Sequence, residues 1–133
     1  MVLRLISYLL VVLATAACSR SEELLMLDRA DQLMLERPDS ALMILQQIPR
    51  QKLTAESSQA RFAVLMSQAM DKNRIDSDND SLIRQAIRYY GPRRDQDDYR
   101  ARAFYYAGRV YQHAGRINEA MRCYIQAEYS AAE

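Results

Sequence analysis

Arg102, Tyr105, Arg109, Gln112 and His113 recur at three- and four-residue steps, so on a helix they share one stripe. Two guanidiniums around a phenol suit a carboxylate, either in an acidic peptide or at a chain's C-terminus. Arg102 and Arg109 are the expected anchors and Tyr105 the packing surface, although a solvated polar face has the same pattern. His113 is the only histidine. No motif ties a serine or cysteine nucleophile to it, and metal sites need several ligands of its kind. Residues 76–80, "DSDND", have the D-x-D-x-D rhythm that opens a calcium loop. Ser81 stands where that loop needs glycine and Ile87 where it needs glutamate, so a solvated acidic loop is expected. There is no phosphate-binding glycine loop. The sequence predicts no catalytic residue, no metal and no cofactor.

The elements that carry the stripe follow from composition and periodicity. The chain has 133 residues, enough for one small domain. Three glycines and three prolines leave little material for the turns of an all-β fold, and the dominant Ala, Leu, Met, Arg, Gln and Glu are good helix formers. An all-α chain is expected. Apolar residues at three-four spacing place helices over 21–37, 39–48, 55–72, 81–90, 98–113 and 118–131. Pro38 suits the first turn of the second helix, Pro49 ends it, and "YGP" ends the fourth. Thr54 and Asn118 are the expected N-caps of the third and sixth. The helices form three antiparallel pairs, over 22–48, 54–90 and 98–131.

Charge narrows the partners. The 18 basic and 17 acidic residues leave a net charge of +1, with no electrostatic footprint for nucleic acid. All the basic residues except Lys52 and Lys72 are arginine. Arginine suits packed helix surfaces and protein contacts, because it pairs with carboxylates in bidentate fashion and stacks on rings.

Two glycines within "RAFYYAGRVYQHAGRINEAMRCYIQAE" need a reason, since glycine inside a helix costs about 1 kcal/mol against alanine. Gly115 fits a left-handed C-cap. Gly108 fits a close helix approach, with Ala120 the expected facing residue. Phe104, Ala107, Gly108 and Tyr111 resemble the first-helix signature of a tetratricopeptide repeat, and Ala120, Tyr124 and Ala127 resemble that of its second helix. Ala132 stands where that repeat usually has proline. With "LMLERPDSALMILQQI" and "DSLIRQAIRYYG", the likeness extends over roughly residues 22–133, to tetratricopeptide proteins of Bacteroides-type bacteria. It implies helix pairs stacked as a short right-handed solenoid, with the Arg102–Tyr105–Arg109 stripe facing a concave peptide groove.

The N-terminus reads as an address. Arg4 precedes an apolar run and a small-residue stretch ending at Cys18. The uncharged segment is about 15 residues, short of the ~20 a membrane span needs. "LATAAC" resembles a bacterial lipobox, which implies a signal peptide over 1–17, lipidation of Cys18, a tether over 18–22 and a helical domain over 23–133. Ordinary cleavage after Ala16 and an uncleaved anchor are the alternatives. Ser19 in place of an acid implies the outer membrane; without lipid the product is periplasmic. Cys123 then has no disulfide partner and is expected to be a small, mostly buried apolar residue.

Together these readings predict a lipid-anchored envelope scaffold for a protein or peptide partner. The alternative is a shortened input part of a longer signalling or transcriptional regulator. Met121, Tyr124, Ile125 and Tyr129 keep the last helix apolar. That predicts self-association, a covering partner or a truncated frame.

Overall fold

The computed structural model describes residues 20–132; Cys18 and the leader before it lie outside the described residues. Among the described residues the chain is helical and without strands: α1 (Glu22–Leu33), α2 (Pro38–Gln47), α3 (Glu56–Lys72), α4 (Ser81–Tyr90), α5 (Asp97–His113) and α6 (Ile117–Ala132). Short 3-10 turns, Arg50–Lys52 and Arg94–Gln96, precede α3 and α5. No helix among the described residues is long and apolar enough to cross a membrane.

Local chemistry sets the boundaries. Ser21 caps α1, its side chain accepting from the Leu24 N–H at 3.4 Å, with Glu22 and Glu23 at the positive end of the dipole. The helix stops at Leu33, four residues before the expected Arg37, and passes through a turn to Pro38 at the start of α2. Thr54 is not the cap of α3. Ala55 is, without a side-chain bond, and Ser58 Oγ donates back to the Ala55 carbonyl at 2.8 Å. Asn118 lies inside α6, whose first turn closes from the Ala120 N–H to the Arg116 carbonyl at 3.0 Å. Gly91 after α4 is right-handed and its N–H continues the helical pattern to Ile87. Pro92, which has no N–H to give, therefore ends that helix.

Gly115 has the expected left-handed conformation, with φ at +73°. Its N–H reaches the Gln112 carbonyl at 3.1 Å and the Arg116 N–H reaches that of Tyr111 at 2.8 Å, the paired bonds of a Schellman stop. Arg74 ends α3 in the same way at φ +59°, with Arg74 N–H to Asp71 and Ile75 N–H to Met70. Asn73 then ties that end to α2, its amide donating to the Pro38 carbonyl at 2.9 Å.

Helices pack in the three expected pairs, and the first helix of each later pair also seats on both helices of the pair before it. Two apolar cores result. Leu27, Ala30 and Met34 of the first pair meet Ala41, Leu42, Leu45, Phe62, Leu65 and Ala69. Ala60, Ala63, Val64, Ile83, Ala86 and Tyr90 meet Ala103, Tyr106, Ala107 and Val110. α3 belongs to both, which is why it is buried nearly all round between Ala60 and Ala69. Each fully buried large apolar side chain contributes about 1.5–3 kcal/mol, so the shared helix holds the two cores together.

α6 differs. It buries only Ala120, Ala127 and Ser130. Small residues let it lie close to α5, and at Gly108 the two helices are in tight contact. A Cβ added there would stand 2.5 Å from the ring of Tyr124, so Tyr124 rather than Ala120 occupies the space glycine leaves.

Candidate groove between α5 and α6

α5 and α6 line an open groove of about 690 Å³. Ala101, Tyr105, Tyr124, Ala127 and Ala131 give it an apolar lining, and Arg102, Arg109, Gln112 and Glu128 also line it. The helical repeat places these groups: Ala101, Tyr105, Arg109 and Gln112 follow one face of α5, while Tyr124, Ala127 and Ala131 follow one face of α6. Tyr105 and Tyr124 stand with ring centroids 5.8 Å apart, and the Tyr124 hydroxyl donates to Gln112 Oε1 at 2.8 Å. The rings form a wall held by that bond.

Four of the five residues of the sequence stripe thus meet in one groove. His113 does not. It lines a smaller hollow beside α3 and α4, with Nε2 3.4 Å from Asp76 Oδ1. The acidic loop has a further anchor in Asp80, which pairs with Arg116 at 3.0 Å and so binds the loop to the α5–α6 turn.

The two expected anchors are already engaged. Arg102 has only 18% of its side chain exposed. Its Nη2 donates to Asp31 Oδ1 at 2.8 Å and to Gln68 Oε1 at 2.6 Å, and its Nη1 to Asp98 at 3.3 Å. Its guanidinium also lies 4.9 Å from the centre of the Tyr99 ring. Arg109 is 32% exposed and its Nε donates to Asp71 Oδ1 at 2.7 Å. Both cations are paired with the chain's own carboxylates, and what remains open in the groove is mostly aromatic and apolar surface, with exposed Glu128 beside it. An incoming carboxylate would have to compete with Asp31 for Arg102, whereas at Arg109 Asp71 takes the Nε and the Nη1 donates only to Gln112 Oε1 at 3.4 Å.

Arg102 belongs to a network across α1, α3 and α5. Arg61 donates to Asp28 at 2.6 Å, to Asp31 at 3.4 Å and to the Tyr99 hydroxyl at 2.7 Å. Tyr99 donates in turn to Asp31 through a short hydrogen bond. Burial alone would raise the Asp31 carboxyl; the bonds from Arg102 and Tyr99 and the two guanidinium charges outweigh it and hold the carboxyl below its ordinary value. Burial and the bond to Asp31 push the Tyr99 hydroxyl up. Burial chiefly, with the Asp71 charge nearby, pushes Tyr106 to about 12. Nothing in the stripe pattern pointed to Asp28, Asp31 or Gln68. The available signal was the offset of 41 residues that sets Arg61 on Arg102 between two helices of 17 residues each.

Cys123 is a half-buried free thiol pushed up by burial. Comparison with protein-family models, with characterised proteins and with solved structures gives no match to this chain.

Proposed function

We propose that this chain is a lipid-anchored protein of the bacterial envelope, built of tetratricopeptide-type helix pairs, that holds another protein against its last pair. The observation that carries this reading is the α5–α6 groove: an aromatic wall and alanine floor lie open, while the neighbouring arginines are paired internally. Such a surface recognises shape and apolar area. It revises the expected ligand from an acidic segment to an apolar or amphipathic one. The pattern before Cys18 supports export and lipidation, and Ser19 favours the outer membrane.

Intact mass and fractionation of the native product test the anchoring. Cys18 as the first residue, carrying a diacylglyceryl group and a further acyl chain, is the expected result. A product without lipid in the periplasmic fraction would remove the anchor from the proposal.

One observation favours a second reading, in which the chain is the input part of a longer regulator. Ile117, Met121, Ile125 and Tyr129 form a ridge along α6, exposed by 54%, 57%, 48% and 65%. A further segment of a longer chain packed on that face would cover such a ridge. A native product much heavier than the lipidated chain would select this reading.

A further inference from the structure

The two joints already filled in this chain indicate what fits the open groove. α3 seats on the pair α1–α2, and α5 seats on the pair α3–α4. In the second joint α5 covers Ala60 and Val64 of α3 together with Ile83, Ala86 and Tyr90 of α4. The pair α5–α6 repeats that surface. With Arg61 set on Arg102, Ala60 and Val64 correspond to Ala101 and Tyr105, which line the groove. Tyr124, Ala127 and Ala131 repeat the three-four spacing of Ile83, Ala86 and Tyr90. The groove is thus a third joint of the same kind, continuous with two established ones, and its alanines leave the room that close helix packing needs.

The polar groups add a charge preference. In both filled joints the incoming helix brings an arginine to the first helix of the pair below: Arg61 to Asp28 and Asp31, and Arg109 to Asp71. In the open joint Arg102 and Arg109 already pair with Asp31 and Asp71, and the one carboxylate of its lining among the described residues, Glu128, stands instead on the second helix, α6, without an ion pair there.

We infer that the α5–α6 groove accepts an amphipathic α-helix of another protein. That helix presents small and apolar residues at three-four spacing and a cationic side chain directed at Glu128. This deepens the scaffold reading and rests on it.

The probe is a labelled peptide with the sequence of residues 94–115, which contains the helix that fills the equivalent joint. It is titrated against the full chain in detergent micelles by fluorescence anisotropy. Saturable binding is expected. Ala131→Arg, on the exposed rim, should weaken it at least tenfold with unchanged circular dichroism. Glu128→Lys should weaken it several-fold, and a peptide carrying glutamate in place of Arg102 and Arg109 should regain affinity for that variant. Absence of saturable binding, or binding indifferent to both variants, would overturn the inference. So would a dimer of this chain that occupies the groove and excludes the peptide. Capture of an envelope partner unaffected by Ala131→Arg would remove the groove and leave the scaffold reading in place. Peptide binding with no envelope partner would do the reverse.

Discussion

Asp31 is where the three helix pairs are tied together, and Asp31→Ala tests that role. The substitution removes the carboxylate that accepts from Arg102 and Tyr99 and pairs with Arg61. Breaking a buried ion pair from one side costs about 3–5 kcal/mol, because the other charge is left without its partner. The cost here is smaller for two reasons. Arg61 keeps Asp28, and Arg102 keeps Gln68 and Asp98. The side chains of Arg61, Arg102 and Asp31 also retain 20%, 18% and 24% exposure, so water screens part of the loss. About 2–3 kcal/mol is expected, a fall in Tm of roughly 7–13 °C for a domain of this size. The assay is urea denaturation followed by circular dichroism, with Arg102→Met and the double variant completing a cycle whose coupling should be about 1–2 kcal/mol. The pH dependence follows from the sign of the shift. A carboxyl held below its ordinary value contributes stability that is fully present above the unfolded-state value and lost as pH falls through the folded-state one. The gap between wild type and Asp31→Ala should therefore stay constant down to about pH 5, begin to shrink as pH falls past about 4, and close only beneath the lower folded-state value. A loss under about 0.5 kcal/mol, the range of an ordinary surface change, would refute the tie.

Gly108→Ala should lower stability by about 1–3 kcal/mol, because the new Cβ meets the Tyr124 ring at 2.5 Å; Tyr124→Leu in the same chain should recover part of it in the same urea assay. Arg74→Gly should raise stability by about 0.5–1 kcal/mol, relieving a left-handed arginine. Gly115→Ala should lower it by about 1 kcal/mol for the converse reason, and a matched pair of thermal melts checks both signs. Cys123, pushed up by burial, should alkylate with iodoacetamide at pH 8 more slowly than free cysteine, and equal rates would contradict its burial.

The six helices were legible because each carries a long apolar period and meets glycine, proline or a polar loop at its end. The left-handed turn at Gly115 was legible for the same local reason. The caps at Thr54 and Asn118 were displaced by a residue or two, the scale on which helix ends are set by backbone geometry rather than residue type. Gly108 was legible as a close approach, but its neighbour was not. Side chains on a helix lean toward its N-terminus, so Tyr124 reaches back over the site where the smaller Ala120 was expected. Four residues of the stripe on α5 line one groove and His113 does not, and the partners of its arginines were not legible. Periodicity reports which residues share a face of one helix. It does not report that Asp31 lies 71 residues from Arg102 in the chain and 2.8 Å from it in space. The apolar character of the groove became visible only once those partners were placed.

The most direct measurement is photo-crosslinking in the native envelope, with a photoreactive residue at Tyr105 in the groove and, separately, at exposed Gln46 on α2. A discrete adduct with another protein from position 105, absent from position 46 and suppressed by Ala131→Arg, is the expected result. No adduct at 105, or the same adduct from both positions, would contradict a scaffold that docks its partner between α5 and α6.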